Sequence, residues 1–139
     1  MLLIFLKNKG YLSSDCSIIQ MEVLLIDDNI EITEMISFFL KTQDISCKVV
    51  NDGKEAIDQI KNGKYNAILL DLTLPIFSGY DIFNYLKQNE LLKQNNIILF
   101  TASNLTEEDI QNMIKNGAKD VLKKPISIDT IVETIKKYK

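Results

Sequence analysis

Residues 68–75 read ILLDLTLP, an apolar run that contains one acid, Asp71, and that a proline closes. The segment from Tyr65 to Leu70 has the pattern of a strand buried on both faces, as in a parallel sheet. A carboxylate is costly at such a place unless it is paired, binds a metal, or lies at the exposed end of the strand. Asp71 is therefore either part of a site or an ordinary turn residue, and the positions of the other polar residues decide between the two.

From Met21 onward the chain alternates short apolar runs, rich in β-branched residues, with segments of helical periodicity. This alternation is typical of a parallel sheet whose crossovers are helical and right-handed. We predict an α/β fold, a flavodoxin-like doubly wound sheet of five parallel strands in the order 2-1-3-4-5, with five helices. The predicted strands are residues 22–26, 45–50, 65–70, 96–100 and 119–123.

Residues 1–20 are predicted to be an N-terminal extension outside the core fold, which spans residues 21–139. The apolar stretch from Leu2 to Leu6 is too short for a signal peptide, which needs about 7 to 15 apolar residues, or for a membrane helix of about 20. We therefore expect no membrane partner. The chain ends shortly after the last predicted helix, so we also expect no output domain within it.

The composition of the chain excludes several kinds of site. Its 139 residues carry a net charge of −3 and include no histidine. Histidine-based triads and zinc sites are therefore excluded, and the well-spread lysines indicate no surface for nucleic acid. Cys16 and Cys47 are too few for a disulfide framework, which is consistent with a reducing, cytoplasmic location. The chemistry must come from carboxylates, hydroxyls and lysines.

Polar residues follow the predicted strands at the ends that a parallel sheet brings together. Asp27 and Asp28 follow the first strand, Asp71 the third, Thr101 the fourth and Lys124 the fifth. Ligands of open parallel sheets bind at this edge, where the strand order reverses, and clustered carboxylates suit Mg²⁺. The set predicts that Asp71 is a nucleophile toward a phosphoryl donor, with magnesium bridging the acids and the phosphoryl oxygens. Lys124 and Thr101 would bind those oxygens after transfer.

Each of these residues also has an ordinary explanation when it is taken alone. Asp27 and Asp28 are what a turn with a helix-capping acid contains, and Asp71 could be a turn acid before Pro75. Lys124 alone would be a solvated lysine. Their common position at one edge of the predicted sheet favours a site.

These motifs together resemble one family. The pair Asp27-Asp28, Asp71 with Pro75 four positions later, Thr101-Ala102 and Lys124-Pro125 are similar to the motifs of the receiver domain of two-component response regulators. The resemblance covers residues 21–139. It implies that a histidine kinase or a phosphotransfer protein transfers a phosphoryl group to Asp71, and that this modification changes the binding of a downstream protein.

The resemblance also implies how the site works. Magnesium would be held by Asp28, by Asp71 and by the backbone carbonyl of Thr73, with Asp27 acting largely through water. The domain would catalyse its own phosphorylation and contribute to its own dephosphorylation, as a signalling switch and not as an enzyme acting on metabolites. By the same resemblance, the Lys124–Pro125 peptide bond is expected to be cis.

The sequence departs from the usual receiver pattern at the position three residues before Lys124. Receivers usually have a tyrosine or phenylalanine there, which swings inward as the threonine moves toward the phosphoryl group. This chain has Val121, and it has Ile126 where phenylalanine is common. The site chemistry is unaffected, but the switch formed by Thr101 and Val121 lacks its usual aromatic partner.

The first predicted helix has two apolar residues, Ile30 and Phe38, on the face opposite to its inward stripe. Since receivers commonly dock their kinase on this helix, both residues are predicted to belong to a partner surface. The inward stripe is predicted to contain Ile32, Met35, Ile36, Phe39 and Leu40.

Three other functions compete with this interpretation. An aspartate-nucleophile phosphatase of the haloacid dehalogenase kind needs a second aspartate two residues after the nucleophile, where this chain has Thr73. A flavodoxin-like cofactor binder needs a phosphate loop, and the acid pair after the first strand would repel the phosphate. A pseudo-receiver scaffold that never takes phosphate is disfavoured by the intact acids and Lys124.

Overall fold

The computed structural model describes residues 21–102 and 104–139, in which five strands alternate with five helices. The strands are β1 (Glu22–Ile26), β2 (Ser46–Val50), β3 (Ala67–Leu70), β4 (Ile97–Thr101) and β5 (Asp120–Lys123). The helices are α1 (Ile30–Thr42), α2 (Gly53–Asn62), α3 (Gly79–Gln88), α4 (Glu107–Lys115) and α5 (Ile128–Lys136). The predicted extension, residues 1–20, lies outside the described residues.

The strands form one parallel sheet in the order β2-β1-β3-β4-β5, which confirms the predicted topology. The register pairs Ile26 with both Val50 and Leu70. The residues that follow these three therefore leave the sheet side by side at its carboxyl edge. This register is what brings Asp27 and Asp71, distant in sequence, to the same place.

Two apolar cores cover the two faces of the sheet, because every second residue of a strand points to the same face. One core lies under α2 and α3 and includes Leu24, Leu70 and Leu99. The other lies under α1 and α5 and includes Leu25 and Phe100. The central strand β3 is buried along its whole length. This explains why its sequence is apolar without alternation.

Helix α1 differs from its predicted orientation at one position. Met35, expected on the inward stripe, is 52% exposed, whereas Thr33 is buried. Thr33 tolerates burial because its hydroxyl donates to the carbonyl of Ile30, 3.0 Å away. The helix is therefore rotated so that Thr33, Ile36 and Leu40 face the sheet.

Helix α3 begins immediately after the loop that carries Asp71. The Ser78 side chain accepts a hydrogen bond from the backbone N–H of Asp81, and the Asp81 carboxylate accepts from the N–H of Ser78 in return. This reciprocal cap satisfies two backbone N–H groups at the helix start. The loop between β3 and α3 is thus fixed at its far end.

Candidate functional site

Three carboxylates meet at the carboxyl edge of the sheet. Asp27 directly follows β1 and is completely buried, Asp71 directly follows β3 and is 3% exposed, and Asp28 is exposed. One oxygen from each of the three lies within 4.8 Å of the others. Like charges at this distance repel each other, so the cluster needs positive charge nearby.

Lys124 supplies one positive charge to this cluster. Its Nζ donates to Oδ2 of Asp27 at 2.7 Å and lies 3.5 Å from Oδ2 of Asp71. The backbone N–H of Lys124 donates to the carbonyl of Thr101 at 2.9 Å, which fixes the loop after β5 to the end of β4. The Lys124–Pro125 peptide bond is cis. The structure thus brings the predicted lysine into contact with both buried acids.

Asp27 is held by backbone groups on both sides. Its Oδ1 accepts from the N–H of Asn29 at 2.9 Å, and its own N–H donates to the carbonyl of Val50 at 3.1 Å. The side-chain amide of Asn51 donates to the Asp27 carbonyl at 2.7 Å. Asn29 also caps α1, where its side chain accepts from the N–H of Ile32. The acid and the helix start are therefore fixed together.

Asp71 has its two carboxylate oxygens in different environments. Oδ1 accepts from both the backbone N–H and the hydroxyl of Thr73, at 3.1 and 3.0 Å. Oδ2 faces the ammonium of Lys124. One oxygen is therefore fixed by neutral donors, and the other faces the cation. A nucleophile needs this kind of fixed orientation toward its target.

Burial raises the pKa of Asp27 above its ordinary value, because the charged form loses its water. The hydrogen bonds from Lys124 and from Asn29 act in the opposite direction, whereas the negative charge of Asp71 raises the pKa further. The net effect is a carboxylate whose ionised form depends on a neighbouring cation.

The sequence pattern of one family, the response regulator receiver domain, matches residues 23–136. This chain belongs to that family. Over 115 residues it is 35% identical to the cell cycle response regulator CtrA of Brucella ovis, and the match covers 83% of this chain and 48% of that protein. The chain thus spans about half the length of the curated relatives that it matches.

Solved receiver domains have the same fold. The receiver domain of the Francisella response regulator 1452 has a TM-score of 0.78 and 27% identity, over 86% of this chain and 96% of that one. The receiver domain of the sensor histidine kinase PA1611 of Pseudomonas aeruginosa has a TM-score of 0.73 and 28% identity, over 86% and 97%. That structure has a magnesium ion coordinated in its active site cleft.

The acid cluster of this receiver domain fits a magnesium ion by its chemistry. Asp27, Asp28 and Asp71 offer three hard carboxylate oxygens within one short range, and magnesium prefers oxygen ligands. The exposed Asp28 leaves the cluster open to solvent, so that water can complete a coordination shell. A divalent cation would also relieve the repulsion among the three acids.

The other residues that the sequence predicted for the switch and for the partner surface lie on β4, β5 and α1. Thr101 is fully buried at the end of β4. Val121 is partly buried and packs against the core under α2 and α3, opposite Leu99 in the register. Ile30 and Phe38 on α1 are 62% and 71% exposed, and both line a groove between α1 and β2.

Gly79 is a site residue that the sequence interpretation missed. A Cβ at this position would overlap the backbone carbonyl oxygen of Asp71 and would lie 2.5 Å from Cα of Leu72. Only glycine therefore lets α3 start so close to the acid. A glycine directly after a helix cap is the available sequence signal, but it does not indicate what the backbone approaches.

Asn51 and Phe100 were also missed. Asn51 follows β2 as Asp27 follows β1, so the strand register could have indicated its position. Phe100 is buried in β4, and its ring centroid lies 4.5 Å from Nζ of Lys124. In the sequence, nothing distinguishes Phe100 from the other apolar residues of this buried strand.

None of the helices in residues 21–102 and 104–139 has the length and apolar character needed to cross a bilayer.

Proposed function

We propose that Asp71 accepts a phosphoryl group from a histidine kinase or a phosphotransfer protein, in a magnesium-dependent reaction that changes the binding of a downstream protein. Receiver domains of response regulators take phosphoryl groups from histidine kinases. The observation that carries the proposal is the arrangement of Asp71, with Oδ1 held by Thr73 and Oδ2 facing Lys124.

In the proposed reaction a carboxylate oxygen of Asp71 forms a bond to phosphorus, while the bond from phosphorus to the donor atom breaks and the donor leaves with those electrons. The product is an acyl phosphate. The ammonium of Lys124 is close enough to Asp71 to pair with an oxygen of the transferred group, and the Thr101 hydroxyl would bind a second one. Thr73 keeps the carboxylate from rotating before the reaction.

Magnesium would be held by Asp28, by Asp71 and by the backbone carbonyl of Thr73, with Asp27 acting through water. When bound, the ion supplies positive charge that stabilises the phosphoryl oxygens during transfer. Asp27 contributes mainly by binding Lys124, since its Oδ2 has the shortest contact with the ammonium. In this proposal the domain catalyses only its own phosphorylation and dephosphorylation.

Incubation with acetyl phosphate, with and without magnesium, tests the proposal. Acid-labile phosphate is expected on the wild-type chain only with magnesium, and on Asp71→Asn not at all. Asp81→Asn is a matched control, because Asp81 caps α3 and lies outside the acid cluster. Equal labelling of wild type and Asp71→Asn, or labelling without magnesium, contradicts the proposal.

The proposal includes a docking surface for the phosphodonor on α1. Ile30 and Phe38 are large, apolar and exposed, and they line one groove beside β2. Exposed apolar side chains that lie together are typical of contact surfaces. The helix that bears them starts at Asn29, two residues after Asp27, so a partner docked there lies close to the acids.

Transfer from a phosphorylated kinase or phosphotransfer protein tests this surface. Ile30→Ala and Phe38→Ala are expected to slow protein-to-protein transfer and to leave labelling by acetyl phosphate unchanged. Ile114→Ala is the control, because Ile114 is also exposed but lies on α4. An unchanged transfer rate in both α1 variants contradicts the assignment.

Two alternatives predict different results in the same assays. A haloacid dehalogenase-like phosphatase would turn over phosphate monoesters, yet at the place of its second aspartate Thr73 donates a hydrogen bond to Asp71. A pseudo-receiver scaffold would take no phosphate.

The proposal also includes a cytoplasmic location and a partner that is a protein and not DNA, RNA or a membrane.

A further inference from the structure

The ammonium of Lys124 has a third neighbour besides the two acids. Nζ lies 4.5 Å from the centroid of the Phe100 ring. A cation within about 6 Å of an aromatic face is attracted by the negative charge density of that face. The Lys124 side chain is only 15% exposed and Phe100 is 3% exposed, so water competes weakly for this contact.

Phe100 is fixed from behind by the core. It lies in β4, directly before Thr101, and the register places it opposite Leu122 of β5. Its side chain belongs to the apolar cluster under α1 and α5, which includes Ile131 and Ile135. The ring therefore cannot move without disturbing that cluster.

Lys124 needs such a contact because its stem is long and flexible. An ammonium is a point charge that can turn toward any nearby acid. Its contacts with Asp27 and Asp71 are both with acids, and the third acid of the cluster, Asp28, is exposed to solvent. The Phe100 ring adds an attraction on the buried side.

We propose that Phe100 is a positioning residue, whose ring holds the ammonium of Lys124 beside Asp71 and links it to the core under α5. This inference rests on the proposed function of Asp71. Phe100 and Val121 belong to the two different cores of the sheet. The aromatic contact of this site is therefore on the α1 and α5 side, not at the position that Val121 occupies.

The contact itself is tested by NMR on the metal-free whole chain. A proton near the face of an aromatic ring resonates upfield, so the Cε protons of Lys124, identified by their absence from Lys124→Met, are expected upfield of the other lysines. Phe100→Leu is expected to remove this shift. Phe39→Leu is the matched control, because Phe39 packs against the same cluster but is not the ring beneath Lys124, and it is expected to retain the shift.

The functional consequence is tested by the rate of phosphorylation with acetyl phosphate. Loss of the ring is expected to lower the rate constant of Phe100→Leu about fivefold, with Phe39→Leu unchanged. The affinity for magnesium, measured by calorimetry, is expected to be the same in all three proteins. Pentafluorophenylalanine at position 100 keeps the shape of the ring but reverses its charge distribution, and is expected to lower the rate as Phe100→Leu does.

Three outcomes overturn the inference. They are an unshifted Lys124 signal in the wild type, an equal loss of rate in Phe100→Leu and Phe39→Leu, and full activity of the fluorinated protein. Failure of the proposed function has a different signature, since a wild-type chain that takes no phosphate still reports the Lys124 shift. In that case the NMR comparison still shows whether Lys124 contacts the Phe100 ring, since it does not depend on phosphorylation.

Discussion

Nζ of Lys124 lies 2.7 Å from Oδ2 of Asp27, an acid with no exposed surface, although the two residues are 97 positions apart in the sequence. The contact connects the loop that follows β5 to the end of β1, across two intervening strands. A buried carboxylate that loses such a partner has an uncompensated charge.

Lys124→Met is expected to lower the free energy of unfolding by about 2 kcal/mol at pH 7.5 without magnesium. The burial that raises the pKa of Asp27 then acts without its main opposing contact. Stability linked to a raised carboxyl pKa is full below the ordinary value of 3.8 and is lost as pH rises through the folded-state pKa. The difference between variant and wild type should therefore shrink toward pH 4, as measured by urea unfolding.

Lys137→Met is the matched control for that experiment. Lys137 pairs with Asp120 at 3.6 Å, but its side chain is 62% exposed. Exposed ion pairs contribute little to stability, so Lys137→Met is expected to change the free energy of unfolding by less than about 0.5 kcal/mol at every pH. Equal effects of the two substitutions would contradict the role of Lys124 as the counter-charge of Asp27.

Gly79→Ala is expected to destabilise the fold by about 3 kcal/mol, because the new methyl group overlaps the backbone of Asp71 and Leu72. The same displacement of Asp71 should slow its phosphorylation. Gly63→Ala is the control, since the atoms nearest to its methyl group are the outer ring atoms of Tyr65, at the far end of a side chain that can move aside. Thermal unfolding of the two variants measures the difference. A loss of stability in Gly63→Ala as large as in Gly79→Ala would contradict the explanation.

Ile76→Gly is expected to stabilise the protein by about 1 kcal/mol. Ile76 is fully exposed and has a φ of 66°, a left-handed conformation that is strained for a β-branched residue. The hydrogen bond from the N–H of Phe77 to the carbonyl of Pro75, 2.7 Å long, closes the tight turn around it. Glycine relieves the strain and loses no packing.

The shift of the urea midpoint measures this effect. Ile114→Gly is the opposite case, because Ile114 lies in the last turn of α4, where replacing isoleucine by glycine is expected to lower the free energy of unfolding by about 0.5 kcal/mol. A lower midpoint for Ile76→Gly would mean that the turn is not strained.

Cys47 is expected to react slowly with iodoacetamide. Burial raises the pKa of its thiol from 9.0 to about 11, although a hydrogen bond with Ser37 acts in the opposite direction. At pH 8 the reactive thiolate is then about 100-fold scarcer than in an ordinary thiol. The Cys16→Ser variant isolates the Cys47 reaction for mass spectrometry, and the urea-unfolded chain should react at the ordinary rate. A fast reaction in the folded state contradicts the prediction.

The fold and the position of the acid cluster could be derived from the sequence, because both depend on periodicity. Apolar runs of strand length predict the sheet, and the residues that end them, such as Asp27 and Asp71, are placed by topology alone. Close contacts that depend on how the helices and the sheet pack together could not be derived from the sequence. The approach of Gly79 to the Asp71 backbone and the ring of Phe100 beneath Lys124 require the packing of α3 and of the core. Met35 was misplaced because a rotation of α1 changes which residues of a broad apolar stripe face inward.

The order of the sheet places β2 and β5 at its two edges. Both strands carry charged residues, Lys48 in β2 and Asp120 and Lys123 in β5. Of the inner strands, β3 and β4 contain none, and β1 has Glu22 at its first position. A flat apolar edge would be a template for further strands, and charges oppose that kind of aggregation. Within residues 21–102 and 104–139, the charges on β2 and β5 therefore disfavour strand addition at both edges of the sheet.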